Sequence, residues 1–297
     1  DPALAPIVRA TALTLAQPHL QAQALPALRK LLAHTDPLLR ASATGSLEPF
    51  DAPTRVAAAA PQLADPVRGV RVEAARVLAD VPDEQIPMEW RSARAKALQE
   101  YVDSLTEDAD WPSSNINLGN LRLRQGRVDE AITAFQRAVL LDAQLPAAYL
   151  NLADAYRQAR RDTDGEKTLR EAIARMPRNA DLHHALGLLL VRKGDKPAGL
   201  QSLAQAARLA PDNPRYAYVQ AIALNSLGKR AEALALLRAT QARHPDDLDT
   251  LNALVSIQAE AGDARGALVY AEKMAVLMPD DPSLRRLLAD LKARAAR

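Results

Sequence analysis

The sequence contains no cysteine in its 297 residues. This absence excludes disulfide bonds, thiolate zinc sites, thiol nucleophiles and the C-x-x-C-H signature that attaches haem. It leaves the compartment open, because a protein without disulfides is compatible with both the cytoplasm and the periplasm. Function classes that depend on cysteine chemistry are therefore excluded.

Aromatic residues, one-sided charge and long apolar runs are also scarce. Aromatics make up 3% of the chain, and Ala and Leu carry much of its 48% hydrophobic content, which favours helices over strands. The 38 basic and 36 acidic residues are mixed along the chain, so a general nucleic-acid-binding surface is not indicated. No apolar run approaches the roughly 20 residues of a membrane-spanning helix. We expect a helical protein that binds no nucleic acid and does not insert into a membrane.

A repeat with a period of 34 residues begins at residue 112. Its columns are a proline, an Asn or Asp two residues later, a glycine and a small residue. They comprise Pro177, Pro211, Pro245 and Pro279; Asn179, Asn213, Asp247 and Asp281; Gly126, Gly194, Gly228 and Gly262; and Ala131, Gly165, Gly199, Ala233 and Ala267. A fixed period of this length indicates a helical-repeat protein.

Each column has a structural reason. Glycine after the first helix permits the positive φ of a turn, proline ends the second helix, and Asn or Asp caps the helix that follows. The small residues are predicted to lie where the two helices of a pair cross. Because one helix pair cannot bury its own apolar face, the pairs must stack.

These columns resemble the tetratricopeptide repeat. Matching residues include Leu118, Gly119 and Phe135 in the first copy, and Tyr149 and Tyr156 in the second. Five gapless copies are predicted: 112–145, 146–179, 180–213, 214–247 and 248–281. A final helix over 282–297, with four leucines on one face, is predicted to cap the stack.

Residues 1–87 follow a different period. A Val/Leu-Arg-x-x-Ala pattern recurs every 31 residues with its arginine at Arg9, Arg40 and Arg71, and an Asp-Pro pair precedes the second and third copies. This pattern is similar to short HEAT-like repeats, in which Asp-Pro begins a helix and the Arg makes polar contacts along the stack. Residues 88–111 are predicted to form a joining helix.

The amino-terminal end is expected to lack a partner layer. The sequence starts at Asp1 without a preceding Met, and a helix at about residues 3–16 would leave at least one of Ile7, Leu13 and Leu15 uncovered. We expect an upstream segment or another chain to cover this face, because exposed stacking faces favour association.

Residue patterns of enzymes and metal sites are missing. The five histidines are His19, His34, His183, His184 and His244, and none is followed by Glu. His183 and His184 would point about 100° apart on a helix, so they would not bind one metal ion. There is no glycine-rich phosphate loop, no G-x-S-x-G motif and no carboxylate pair in a repeated position. We predict no catalytic residue, no metal site and no cofactor.

The first helices of the repeats are the candidates for a binding surface, because the resemblance implies that they line a concave groove. The polar and aromatic residues at groove positions are Asn117, Asn120, Arg124, Asn151, Asp154, Arg157, His184, Arg192, Arg215, Tyr218, Asn225 and Asn252. An Asn amide can donate to and accept from a peptide backbone at once. The alternatives are that the Asn side chains bond neighbouring helices and that Arg192 and Arg215 are ordinary surface residues.

A narrower resemblance covers nearly the whole chain. The order of the modules and the segments 151–157, 182–187 and 215–218 are similar to the C-terminal region of bacterial multihaem c-type cytochromes that carry such repeats. The resemblance implies a periplasmic or extracellular location, although a cytoplasmic one stays open. It also implies a haem-bearing domain upstream, since nothing in this sequence attaches haem.

The sequence thus predicts an all-α, right-handed α-solenoid made of HEAT-like repeats, tetratricopeptide repeats and a capping helix. Its predicted function is a non-catalytic scaffold that binds a protein or peptide along the concave groove. The alternative is an accessory or assembly module packed against a redox domain, upstream or in a partner. A nucleic-acid-binding solenoid would need basic and stacking aromatic residues in the groove, whose candidate residues include a single Tyr.

Overall fold

The computed structural model describes residues 3–296, so the expectation about Asp1 lies outside the described residues. Over this range the regular structure is helical, without a strand, which confirms the all-α prediction. The chain divides into two compact units: an N-terminal unit ending at Asp142 and a C-terminal unit beginning at Ala143. This division places the first predicted tetratricopeptide copy in the N-terminal unit. The domain boundaries drawn from the sequence stay predictions.

The N-terminal unit contains eight α-helices over its described residues. They are α1 Pro6–Ala16, α2 Leu25–Leu32, α3 Pro37–Gly45, α4 Ala52–Ala59, α5 Arg68–Val77, α6 Met88–Glu107, α7 Pro112–Arg124 and α8 Val128–Leu141. Helix α3 packs between α1 and α5, and α6 packs against α5 and α7. The unit's core consists mainly of Leu, Ala and Val side chains from α2 to α6.

Two arginines of the 31-residue period make equivalent contacts in the N-terminal unit. Arg40 donates to the backbone oxygens of His34 and Thr35 and binds both carboxylate oxygens of Asp65, at 2.7 and 3.0 Å. Arg71 repeats this arrangement. It donates to the backbone oxygens of Asp65 and Pro66 and binds both carboxylate oxygens of Glu100, and the two distances to Glu100 are 2.9 Å. Bidentate, partly buried pairs of this kind fix the helices that carry them. Two of the three arginines of this column thus make polar contacts with neighbouring elements.

The Asp-Pro pairs differ from one another. Asp36 is the N-cap of α3 and accepts from the Leu38 N–H at 2.8 Å, as predicted. Asp65 does not start a helix directly, since α5 begins at Arg68 and Val67 is its N-cap residue. The Asp65 carboxylate still accepts from the Val67 N–H at 2.8 Å, as Asp36 does from Leu38, and it also binds Arg40.

The first helix is shorter than predicted. It begins at Pro6 instead of about residue 3, and Ile7 and Leu15 are 60% and 74% exposed. Leu13 is an exception to the expected open face, because it packs against the core of the N-terminal unit. Two of the three residues are therefore uncovered among the described residues, consistent with the expectation that at least one of them would be.

The C-terminal unit consists of four helical hairpins and a final helix. The helices are α9 Pro146–Gln158, α10 Asp162–Arg175, α11 Ala180–Lys193, α12 Lys196–Leu209, α13 Pro214–Ser226, α14 Arg230–Arg243, α15 Leu248–Glu260, α16 Ala264–Leu277 and α17 Pro282–Ala295. Together with α7, the first helices start 34 residues apart, in the predicted register. Helix α17 packs on α16 and buries Leu284 and Leu291, as expected of a cap.

Helix ends follow the repeat columns. The side chains of Asn179, Asn213, Asp247 and Asp281 each accept from a backbone N–H in the first turn of the next helix. These caps satisfy N–H groups that have no partner within the helix. The first two copies lack such a side-chain cap and instead begin with proline at the first helical position.

The turn between the helices of a hairpin needs a left-handed residue. Glycine supplies it at four of the five turns, with φ between 72° and 91°. The fifth turn has Arg160 in the same column, at φ 57°. A side chain costs about 1–2 kcal/mol in this conformation, so the second copy has a strained turn.

Each hairpin is held at a crossing between a small and a large residue sixteen positions apart. The pairs are Gly119 and Phe135, Ala153 and Leu169, Gly187 and Leu203, Ala221 and Leu237, and Val255 and Ala271, and every member is buried. A Cβ on Gly119 would overlap the Phe135 ring, and one on Gly187 would lie 2.7 Å from Leu203. The two members of each pair compensate in size, as close packing of two helices requires.

Replacing Arg160 with Gly should stabilise the protein by up to about 1 kcal/mol, because it removes the left-handed strain at the cost of some chain entropy. The matched change Gly228→Ala should destabilise it by about 1 kcal/mol, since no atom lies within 4 Å of the added Cβ and only the backbone conformation opposes it. Thermal melts measure both changes. A lower melting temperature for the Arg160→Gly variant would contradict this account of the turn.

Ala233→Leu should destabilise the protein by about 1–3 kcal/mol, because Ala233 is fully buried in the core shared by α13, α14 and α15. The control is Arg238→Ala on the same helix, where an exposed side chain should change stability by less than about 0.5 kcal/mol. Denaturant unfolding of the two variants compares them directly. Equal stabilities would show that the predicted register is wrong.

Candidate functional site

The C-terminal unit presents one side of its first helices to solvent. Helix α9 packs beside α11 and α13 beside α15, so these helices form a layer. We call the solvent-facing side of this layer the first-helix face. Its exposed or half-buried residues include Leu150, Asp154, Leu188, Arg192 and Ile222. Asp154 and Arg192, both predicted from the sequence, lie on this face.

Three predicted residues meet in a small cavity on the first-helix face. Asp154 and Arg157 from α9 and Arg192 from α11 line a cavity of about 170 Å³. Leu150 and Leu188 lie beside them. The cavity therefore combines an apolar floor with charged side chains.

The charged groups of this cavity are already paired within the protein. Arg157 Nη2 lies 2.5 Å from Asp154 Oδ1, and Arg192 Nη2 lies 2.7 Å from Asp162 Oδ1. The hydrogen bond from Arg192 holds the pKa of Asp162 below its usual range. Because both guanidinium groups have carboxylate partners, the cavity offers a ligand little uncompensated charge.

His184 on α11 belongs to a second cluster. Its ring centre lies 5.1 Å from that of Tyr216, and the Tyr216 hydroxyl donates to Asp181 Oδ1 at 2.5 Å. Burial and the hydrogen bond to Asp181 raise the pKa of Tyr216 to about 12. Burial, assisted by the nearby Arg215 charge, lowers the pKa of His184. The His184 Nδ1 atom is buried and has no hydrogen-bond partner among the described residues.

The other predicted residues of the C-terminal unit are dispersed. Arg215 is exposed at the start of α13, whereas Tyr218 packs partly into the core near Ala221. Asn151 and Asn225 are half-buried, and Asn252 is exposed on α15. These five residues do not line the cavity at Asp154.

Asn117, Asn120 and Arg124 come together in the N-terminal unit. They line a cavity of about 370 Å³ with Glu48, Arg76 and Tyr101. The centre of the cluster is Glu48, which forms ion pairs with Arg76 at 2.6 Å and with Arg124. Burial raises the pKa of the Tyr101 hydroxyl and lowers that of Arg124.

Arg124 has a different role from the one its position predicts. Besides the pair with Glu48, it donates to the backbone oxygen of Arg76 at 3.3 Å. It therefore connects α7 to α5 and to the turn after α3. Asn117 and Asn120, by contrast, are exposed residues of α7.

Sequence reasoning missed the apolar residues of the first-helix face. Leu188 and Ile222 are 43% and 40% exposed, and both belong to the repeat column that contains Asn120 and Asp154. The column itself carries the signal, because its position on the first helix is the same as that of Asn120 and Asp154. Glu48 has no comparable signal, because it lies outside the 34-residue repeats.

Metal sites and membrane-spanning helices are both absent over residues 3–296. In this range no group of three or more His, Asp or Glu side chains could hold a metal ion. The helices of the same range include none that is long and apolar enough to cross a membrane.

Family models match the repeated part of the chain. A TPR repeat model matches residues 119–159, and a tetratricopeptide repeat model matches residues 184–247 and 218–283. The chain contains tetratricopeptide repeats. Proteins with such repeats generally mediate protein–protein interactions and are generally non-catalytic.

Solved structures share this architecture. The chain is similar to yeast Tom70, with a TM-score of 0.60 and 18% identity over 92% of this chain and 58% of that one, which shows the fold alone. It also matches YrrB, described as a TPR protein with an unusual peptide-binding site, at 21% identity over 65% of this chain and 97% of that one, with a TM-score of 0.46. A thermophilic TPR protein of Thermus thermophilus, TTC0263, matches at 25% identity over 61% of this chain and 99% of that one, with a TM-score of 0.45. No curated protein matches the sequence significantly.

The comparisons give no support to two of the predicted resemblances. The HEAT-like interpretation of residues 1–87 and the similarity to multihaem cytochromes both stay predictions. Functional conclusions about this chain therefore rest on its tetratricopeptide repeats.

His184 should make stability depend on pH. Burial lowers its pKa in the folded protein, and protonation would place an N–H on Nδ1 without an acceptor. Above the unfolded pKa of about 6.5 the histidine is neutral in both the folded and the unfolded protein, so it does not affect stability. As pH falls below this value, the unfolded chain binds the proton more readily than the folded protein, so the folded protein loses stability until pH reaches the lower, folded pKa. The His184→Phe variant keeps a ring against Tyr216 and should lose less stability between pH 8 and pH 5 than the unmodified protein. Equal losses in denaturant unfolding at the two pH values would contradict this role of His184.

Proposed function

We propose that this protein is a non-catalytic scaffold that binds a protein or peptide partner on the first-helix face of the C-terminal unit. The general role of tetratricopeptide repeats supports a binding function. The observation that carries the proposal is the exposure of Leu188 and Ile222 in one repeat column, beside charged groups that are already paired.

The chemistry of the first-helix face favours apolar side chains in the partner. Leu188 and Ile222 lose contact with water when a partner covers them, which is the main favourable term in association. The Asp154–Arg157 and Asp162–Arg192 pairs border this apolar column without a large net charge. A peptide with two or more apolar residues on one face fits this arrangement, because peptide grooves commonly accept such anchors.

The N-terminal unit offers a second type of contact for a partner. Asn117 and Asn120 are exposed one turn apart on α7, and each amide can donate to and accept from a peptide backbone. Arg76 and Arg124 form their ion pairs with Glu48, so they are less available to a ligand. This site is proposed for a neutral peptide segment.

The other predicted partner, a haem-bearing domain, and the predicted location are not needed for this function. The upstream haem-bearing domain and the periplasmic or extracellular location were implied only by the cytochrome resemblance. No contact, cavity or charge pattern in the described residues favours them.

The test begins with selection of peptides from a random phage-displayed library on the full chain. Selected peptides are expected to carry apolar residues, and their affinity should fall about tenfold in each of the variants Leu188→Gln and Ile222→Gln. The matched control is Val276→Gln, which changes an 81% exposed apolar residue on the second helix α16. Isothermal titration calorimetry measures the affinities.

The proposal fails if the selected peptides bind the Leu188→Gln and Ile222→Gln variants as tightly as the unmodified protein. It also fails if Val276→Gln weakens binding to the same extent, because exposed apolar residues in general would then explain the result. Asn117→Ala with Asn120→Ala tests the N-terminal unit in the same assay.

A further inference from the structure

A furrow lies along α12 in the C-terminal unit, and none of the residues named above for the first-helix face lines it. It consists of two cavities of about 490 and 320 Å³ that share Ala204 and Arg208 on α12. One cavity extends to His183 on α11, and the other extends to Arg243 on α14. We call this surface the α12–α14 furrow.

The polar side chains that line the furrow include cations and amides but no carboxylate, and the rest of the lining is Ala, Pro and Leu. Its lining residues include Arg208, Arg243 and the amides Gln201, Gln205 and Gln220, and no Asp or Glu is among them. The cavities described above differ in this respect, because Asp154 lines one and Glu48 lines the other. The two arginines therefore have no carboxylate beside them in the lining of the furrow.

The two arginines are held in place by neutral acceptors. Arg208 Nη2 donates to Gln205 Oε1 at 2.6 Å, and Arg243 Nη1 donates to the Pro211 backbone oxygen at 3.3 Å. These bonds orient each guanidinium group but do not neutralise it. Arg157, Arg192 and Arg124, in contrast, each have a carboxylate partner. An incoming carboxylate would meet a preorganised donor with its charge unused, which lowers the entropic cost of binding.

We propose that the α12–α14 furrow binds an acidic segment of a protein partner, with Arg208 and Arg243 pairing with its carboxylates. Arg–carboxylate pairs are strong when both donors of the guanidinium fork are used. The glutamine amides suit the backbone of the same segment, because each can donate and accept. This site is separate from the first-helix face, so it does not depend on the function proposed for that face.

A polypeptide fits the furrow better than a nucleic acid. Binding of single strands uses aromatic side chains on which bases stack, and no Phe, Tyr or Trp lines either cavity. Binding along a nucleic-acid backbone also uses more cations than the two guanidinium groups present here. The extended shape, formed by two adjoining cavities, suits a chain segment more than a single small anion.

A structural explanation of the two arginines makes a different prediction. Arg208 and Arg243 lie near the C-terminal ends of α12 and α14, where cations interact favourably with the helix dipole. That role would change the melting temperature when the arginines are replaced, but it would not produce selective binding of an acidic peptide. Binding therefore distinguishes the two explanations.

The experiment measures fluorescence anisotropy of labelled peptides with the full chain at low salt. The probe is a peptide of alternating Glu and Ser, and the matched peptide has Gln in place of Glu. We expect the Glu peptide alone to bind, with an affinity that falls as salt is raised. The double variant Arg208→Gln with Arg243→Gln should bind it at least about tenfold more weakly. Arg238→Gln, an exposed residue of α14 that does not line the furrow, should bind it normally.

Charge reversal gives a second, positive test. The variant Arg208→Glu with Arg243→Glu should lose the Glu peptide and gain binding of a Lys-Ser peptide, a result that a merely unfolded protein would not give. Equal binding of the Gln and Glu peptides would overturn the proposal, as would unchanged binding in the Arg208→Gln, Arg243→Gln variant. Tighter, Arg208- and Arg243-dependent binding of an oligo-dT strand would also overturn it, in favour of a nucleic-acid ligand.

Discussion

Close approach of two helices at a small residue is the constraint on which the repeats depend. Glycine at 119 and 187 lets the large side chains of Phe135 and Leu203 lie against the opposite backbone. In the fifth copy the sizes are reversed, with Val255 on the first helix and Ala271 on the second. The space at a crossing must hold the combined volume of the two side chains. The larger side chain can therefore lie on either helix, but a substitution that increases the combined volume is destabilising.

The two units differ in how far their arginine pairs are buried. In the C-terminal unit, helix ends are fixed by Asn and Asp caps and by left-handed turns, and the arginine pairs lie largely at the surface, where they contribute little. In the N-terminal unit, Arg40 and Arg71 bind backbone oxygens and carboxylates of the next element at partly buried positions. Added salt therefore affects the two units differently, because buried pairs are screened less than exposed ones.

The repeat register could be predicted from sequence because its columns encode local backbone requirements. A proline, a capping Asn213 or Asp247 and a glycine act within a few residues, so their effects are independent of distant packing. The candidate site was harder to predict. Arg124 pairs with Glu48, a residue more than seventy positions away and outside the 34-residue repeats. No local sequence pattern predicts such a pair. Leu188 was missed for another reason, since apolar residues on a helix are usually assigned to the core.

The pairing of small and large residues within a single copy constrains how repeat proteins evolve by duplication, deletion and recombination of their copies. Both members of a crossing lie in the same 34-residue copy, so gain or loss of a whole copy leaves every crossing intact. Exchange between copies with a breakpoint at the turn would separate the partners. Joining the first helix of the fifth copy to the second helix of the first would set Val255 against Phe135, whereas the opposite product would leave a void between Gly119 and Ala271. The repeats can therefore vary in number more readily than they can recombine within a hairpin.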